Sequence, residues 1–116
     1  MRKNVLVVED DLLVRLTVCY YLEDMGWKVR DVESGRAALE VFGDRTTIVD
    51  AVLADLHLPD MDGAELARMA QVDSPFIFMS GALEVPTNLP GPVLLKPFDE
   101  KALELMLAKV WEEREP

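Results

Sequence analysis

The sequence predicts an α/β fold, a parallel sheet covered by helices on both faces, and three observations carry that prediction. Short β-branched apolar runs alternate with stretches of helical periodicity, and most of those runs stop at an acidic or polar residue. The chain has 116 residues, 50% of them hydrophobic, which is room for one core and no second, so residues 1–116 are read as one domain.

Residues 4–8, Asn-Val-Leu-Val-Val, end abruptly in Glu9-Asp10-Asp11 and read as a strand buried on both faces. From Leu12 to Gly26 the spacing predicts a helix: Val14, Val18 and Leu22 share one track with Leu13, Leu16 and Tyr20 nearby, and Gly26 supplies a left-handed stop. Asp11 stands where an acid favours a helix N-terminus. Residues 27–32 alternate apolar and polar, as a strand near the sheet edge does. Ser34 reads as the N-cap of a helix over Gly35 to Phe42, with an apolar stripe running from Ala37 to Phe42.

Residues 50–55 form another buried strand, ending in Asp55. Leu58 to Gly63 has turn chemistry, in which Asp60 and Asp62 are turn residues and Gly63 lets the chain enter a helix over Ala64 to Gln71. Residues 75–79 are a fourth strand, with proline tolerated at its start, and residues 93–95 a fifth that runs into Lys96-Pro97-Phe98. Pro86, Pro90 and Pro92 leave room for no more than about one helical turn between Ser80 and Lys96, so that segment is read as a loop. A last helix from Asp99 to Glu113 buries Leu103, Leu107, Val110 and Trp111.

Charge narrows the function. With 12 Lys+Arg against 22 Asp+Glu, a net charge of -10 and no basic cluster, the chain is a poor reader of nucleic acid and a poor binder of anionic membranes. Its one cysteine, Cys19, excludes an internal disulfide framework and, like the methionines, reads as filler. No apolar run approaches a membrane-spanning length and the start has no signal-peptide pattern, so a cytoplasmic protein is expected.

In open parallel sheets ligands bind outside the carboxyl ends of the strands, where the strand order reverses. Those ends carry Glu9 and Asp10, Asp55, Ser80 and Lys96. Carboxylates gathered from two strand ends repel one another unless a hard cation sits among them, and Mg²⁺ suits carboxylate, water and phosphate oxygens. Lys96 adds a second positive charge, and the hydroxyl of Ser80 can donate to an oxygen brought by a phosphoryl group arriving at a carboxylate.

Together these residues resemble a known family, the receiver domain of two-component response regulators. The matching pieces are Val-Leu-Val-Val-Glu-Asp-Asp (5–11), Asp-Ala-Val-Leu-Ala-Asp-Leu-His-Leu-Pro-Asp-Met-Asp-Gly (50–63), Phe-Met-Ser-Gly (78–81) and Leu-Lys-Pro-Phe (95–98). The resemblance implies a flavodoxin-like, doubly wound, five-stranded parallel sheet of order 2-1-3-4-5. It implies that Asp55 is the phosphorylated aspartate, and that Glu9 and Asp10 organise Mg²⁺, Asp10 directly and Glu9 through water. The backbone carbonyl of His57 completes the protein ligands, Ser80 bonds a phosphoryl oxygen, and Lys96 pairs with the acyl phosphate. The side chain of His57 is read as exposed.

The implied function is a single-domain response regulator that catalyses its own phosphorylation and dephosphorylation without being a conventional enzyme. Its phosphoryl donor is a sensor histidine kinase or histidine phosphotransfer protein, and it is expected as a monomer or weak dimer. Two alternatives share the fold: a receiver module from a hybrid kinase or longer regulator, and an interaction module that uses phosphorylation little. A haloacid-dehalogenase-type enzyme wants a second Asp where His57 stands, and a dinucleotide binder wants a Gly-rich first turn where this one is acidic.

Pro75 to Gly81 further resembles the Pro-Phe-x-Phe-Ala-Thr-Gly signature of stand-alone receivers, with Met79 and Ser80 replacing Ala and Thr. In that subgroup the fourth helix is weak and the switch aromatic is missing; here Val93 takes the aromatic's position. Signalling is therefore expected to act by ordering residues 81–92.

Overall fold

The computed structural model describes residues 3–82 and 85–114. Five parallel strands, β1 (Asn4–Val8), β2 (Lys28–Val32), β3 (Ala51–Asp55), β4 (Phe76–Ser80) and β5 (Val93–Leu95), pair in the order β2-β1-β3-β4-β5. Helices α1 (Leu12–Asp24), α2 (Gly35–Gly43), α3 (Gly63–Ala70) and α4 (Glu100–Arg114) complete the parallel α/β fold that the sequence predicts, in the flavodoxin-like, doubly wound form that the resemblance implies. The order reverses between β1 and β3, which puts the switch point beside Glu9 and Asp55.

The period of two along each strand divides the core. Val5 and Val7 of β1 face Val18, Leu22, Leu103 and Leu107 on the α1–α4 side, whereas Leu6 and Val8 face Ala38, Val41 and Leu66 on the α2–α3 side. The central strands β3 and β4 are buried throughout, and the edge strand β2 is half exposed, as its alternation predicts.

Helix α1 begins where expected, with the Asp11 carboxylate accepting from Val14 N at 3.1 Å, and Gly26 follows its end at a φ of 95°. Only Val18 and Leu22 of this helix are buried, while Leu12, Leu13, Leu16 and Tyr20 are exposed. The helix is apolar around most of its circumference, so periodicity alone had no polar face with which to orient it.

Ser34 caps α2 through Ala37 N at 3.1 Å, and Asp99 caps α4 through Ala102 N at 2.8 Å. Leu103, Leu107 and Val110 are buried as expected. Trp111 stays half-buried, edge-on to Trp27 at 6.1 Å with the Lys3 ammonium 3.7 Å above its ring.

Among the described residues there is no helix between β4 and β5. Val85, Leu89 and Val93 pack instead beside the cluster containing Phe76 and Phe78, and Pro92 O accepts from Phe78 N at 2.8 Å. A Cβ at Gly91 would stand 2.1 Å from the Phe76 carbonyl oxygen, so only glycine lets the loop lie this close on β4. No described helix is long and apolar enough to cross a membrane.

Candidate functional site

At the carboxyl ends of the strands the fold brings Glu9, Asp10 and Asp55 together: each offers a carboxylate oxygen within 4.8 Å of the others. Glu9 follows β1 and is held to β2 by its amide on Val32 O at 3.1 Å. Asp55 is the last residue of β3, in register with Met79, and Leu56 N on Met79 O at 2.9 Å fixes the strand end. Glu9 is 0% and Asp55 7% exposed, whereas Asp10 faces solvent.

Lys96 reaches in from the end of β5, its Nζ 2.5 Å from Glu9 Oε1 and 2.7 Å from Asp55 Oδ2. Its backbone is anchored by Lys96 N on Ser80 O at 2.7 Å. The remaining oxygens of the two buried carboxylates accept main-chain amides, Glu9 Oε2 from Asp11 at 3.2 Å and Asp55 Oδ1 from His57 at 2.9 Å. Each oxygen carries one donor and keeps a lone pair for another partner.

Burial pushes the Glu9 carboxyl up to about 6, against the opposing pull of Lys96 and the Asp11 amide. For Lys96, burial works against its charge, but the bonds to Asp55 and Glu9 outweigh it and hold the ammonium above its ordinary range. In the fully ionised cluster, the three carboxylates and one ammonium leave two negative charges uncompensated, the deficit that one divalent cation matches.

Ser80 is buried at the end of β4 and its Oγ accepts from Ala82 N at 3.1 Å, which leaves the hydroxyl hydrogen free to donate. The His57 side chain is exposed, as the sequence reading has it, while its amide takes part in holding Asp55. Gly63 has a stricter role than helix entry, since a Cβ there would lie 2.5 Å from the Asp55 carbonyl oxygen.

Two residues that hold the site in place escaped the sequence reading. Arg15 bonds the Glu9 carbonyl through Nη1 at 2.8 Å and Asp31 through Nε at 2.9 Å, bracing the acidic turn against β2. Its signal was there to be read, because it is the sole charged residue between Leu12 and Leu22. Asp60, read as a turn residue, spans to α2 and accepts from Gly35 N and Arg36 N, both at 2.9 Å. Nothing local announces a partner 25 residues back in the chain.

Known proteins bear on this arrangement. The family model for the response regulator receiver domain matches residues 5–108. The sensor kinase CckA of Brucella abortus is 35% identical over 121 residues, covering 97% of this chain and 13% of the kinase. The cell cycle transcriptional regulator CtrA of Caulobacter vibrioides is 30% identical over 89 residues, covering 74% of this chain and 38% of the regulator. The chain thus corresponds to a minor part of either relative. Among solved structures, the signal receiver domain of an HD domain-containing protein from Pseudomonas fluorescens has a TM-score of 0.85 at 25% identity and covers 97% of both chains. The family match runs through all five strands and takes in every strand end that builds the acidic cluster, so the chain belongs to the response regulator receiver domain family.

Proposed function

We propose that this receiver accepts a phosphoryl group on Asp55 in a Mg²⁺-dependent reaction. The observation that carries the reading is the cluster of Glu9, Asp10 and Asp55 around the Lys96 ammonium. Asp10 would hold the cation directly and Glu9 through water, with Asp55 and the His57 carbonyl completing the protein ligands. When bound, Mg²⁺ supplies the positive charge that neutralises phosphoryl oxygens.

The residues of the chain do the rest. An Asp55 carboxylate oxygen forms the bond to phosphorus while the bond from phosphorus to the donor's histidine nitrogen breaks, and that nitrogen keeps the bonding pair. Lys96 follows the negative charge as it moves from the carboxylate onto the phosphoryl group, and Ser80 donates its hydroxyl hydrogen to a phosphoryl oxygen. Addition of water to phosphorus later releases phosphate and restores Asp55.

The donor is a sensor histidine kinase or a histidine phosphotransfer protein. In support, α1 exposes Leu12, Leu13, Leu16 and Tyr20, an apolar surface of the kind that protein partners cover. A groove of about 280 Å³ runs from this helix to Lys96, Pro97 and Phe98. The protein acts in the cytoplasm as a monomer or weak dimer, without contact to nucleic acid or membrane. The likeness to part of a sensor kinase favours a second reading, in which the same chemistry belongs to a receiver module of a longer protein.

The test is incubation with Mg²⁺ and acetyl phosphate, followed by intact-mass measurement. A single hydroxylamine-sensitive phosphoryl adduct is expected, lost in Asp55→Asn and on removal of Mg²⁺ with EDTA. A protein that takes no phosphoryl group under these conditions overturns the reading.

A further inference from the structure

The turn between β3 and α3 contains His57 and is tied to the rest of the fold in an uneven way. Its root is well held: Leu56 N bonds Met79 O and Gly63 N bonds Leu56 O, both at 2.9 Å. Inside the turn, Leu58 N bonds Met61 O at 3.1 Å and His57 bridges Asp62. These bonds fix the shape of the turn and say nothing about where its outer end rests. That end rests on α2, through Asp60 and Met61.

The two oxygens of Asp60 divide the first two amides of α2 between them, Oδ1 taking Gly35 N and Oδ2 taking Arg36 N, each at 2.9 Å. The helix's own cap, Ser34, takes the third amide, that of Ala37. The unpaired donors at a helix start and its partial positive charge both favour a carboxylate there. Met61 lies flush beside this seat, so close that a Cβ at Gly35 would come within 2.5 Å of its Cγ and Sδ. Capping of α2 alone does not require a residue from another loop, because Ser34 already caps the helix in the ordinary way.

We propose that Asp60 is a positioning residue for cation binding: by gripping the start of α2, its carboxylate holds the β3–α3 turn where the His57 main chain completes the acidic cluster. This inference rests on the proposed Mg²⁺ reading of the site and adds to it a residue that touches neither the cation nor Asp55. Outer residues that orient the groups around a metal typically change its affinity by about tenfold or more when removed.

The experiment compares the full chain with Asp60→Ala and Ser34→Ala, which remove two caps from the same helix. Mg²⁺ affinity is read by calorimetric titration, and amide exchange of residues 56–63 is read without Mg²⁺. Asp60→Ala is expected to weaken Mg²⁺ binding about tenfold and to speed exchange in the turn, while Ser34→Ala lowers thermal stability and leaves both readings within twofold of the parent. Asp60→Asn, which keeps one carbonyl oxygen as acceptor, should fall between; it also takes the place of the alanine variant if that one does not fold. Unchanged affinity in the Asp60 variants, or an equal loss in Ser34→Ala, overturns the proposal. If the parent chain binds no Mg²⁺, the metal reading fails by itself, and unaltered exchange in Asp60→Ala would then dispose of the latch as well.

Discussion

Lys96 Nζ lies 2.7 Å from Asp55 Oδ2 and shares itself with the Glu9 carboxylate, so one ammonium holds two buried acids from different strands. Removing it leaves both acids facing each other without compensation. Loss of one partner from a buried pair costs about 3–5 kcal/mol, and the site opens to solvent through Lys96 itself, 20% exposed, so Lys96→Ala should lose about 2 kcal/mol in the absence of Mg²⁺. The same variant should bind Mg²⁺ more tightly than the parent, because a competing cation is gone. Urea unfolding with and without Mg²⁺ measures both quantities, and a Lys96→Ala protein that gains nothing from Mg²⁺ would contradict the electrostatic account of the cluster.

Glu9 makes stability depend on pH with an unusual sign. Its carboxyl is raised by burial from 4.5 in the unfolded chain to about 6 in the folded one. Between those values the folded state holds a proton that the unfolded state has released, so stability falls as pH rises through this window. At about 1.36 kcal/mol per pH unit the loss is about 2 kcal/mol, complete about one pH unit above the folded value. The measurement is the difference in unfolding free energy between the parent and Glu9→Gln, followed from pH 4 to pH 7 without Mg²⁺. The parent should lose ground to the variant as pH rises; a flat difference, or one of opposite sign, would contradict the burial of a reluctant charge. If Mg²⁺ occupies the cluster as proposed, the dependence should reverse in its presence, since a nearby cation favours the ionised carboxylate.

The sequence made the strand ends legible because their polar residues interrupt apolar runs that have no other reason to stop. Glu9, Asp55, Ser80 and Lys96 could each be assigned to an end before any geometry was known, and the fold brings three of them, with Asp10, into one cluster. The loop between β4 and β5 was equally plain from its prolines, which leave room for no more than about one helical turn, and no helix stands there among the described residues. What stayed hidden was the reach of two side chains: Arg15 stands out as a lone charge without showing that it meets Asp31, and a turn aspartate such as Asp60 looks the same whatever it reaches. The exposed face of α1 was hidden for a different reason: in a helix apolar nearly all round, the choice of buried track depends on the sheet and not on the helix.

That exposed face separates the chemistry from the partner. Leu13 is 74% exposed and lies on the groove that leads to Lys96, so a charge there leaves the fold intact and obstructs a partner's apolar surface. Leu13→Glu should be phosphorylated by acetyl phosphate at the parent rate within about twofold, and should accept phosphoryl groups from its kinase or phosphotransfer protein at least about tenfold more slowly, the loss expected for an interface residue worth over 1 kcal/mol. Time courses with the two donors make the comparison. Equal slowing with both would mean the substitution has damaged the site, and equal rates with both would exclude α1 as the docking face.

The loop after β4 is held differently at its two ends, and this asymmetry predicts where phosphorylation acts. Its far end is clamped, with Pro92 O on Phe78 N at 2.8 Å and Gly91 pressed against the Phe76 carbonyl. The described hydrogen bond at its near end is Ala82 N to Ser80 Oγ at 3.1 Å, made by the hydroxyl expected to turn toward a phosphoryl oxygen. Loading the site with Mg²⁺ and beryllofluoride should therefore slow amide exchange at residues 81–89 by about tenfold, the change produced by roughly 1.4 kcal/mol of added local stability, and leave Gly91 and the strands unaltered. Ser80→Ala should abolish the response while Asp55 still takes up the mimic. Exchange that is the same with and without beryllofluoride would show that the segment between β4 and β5 does not carry the signal.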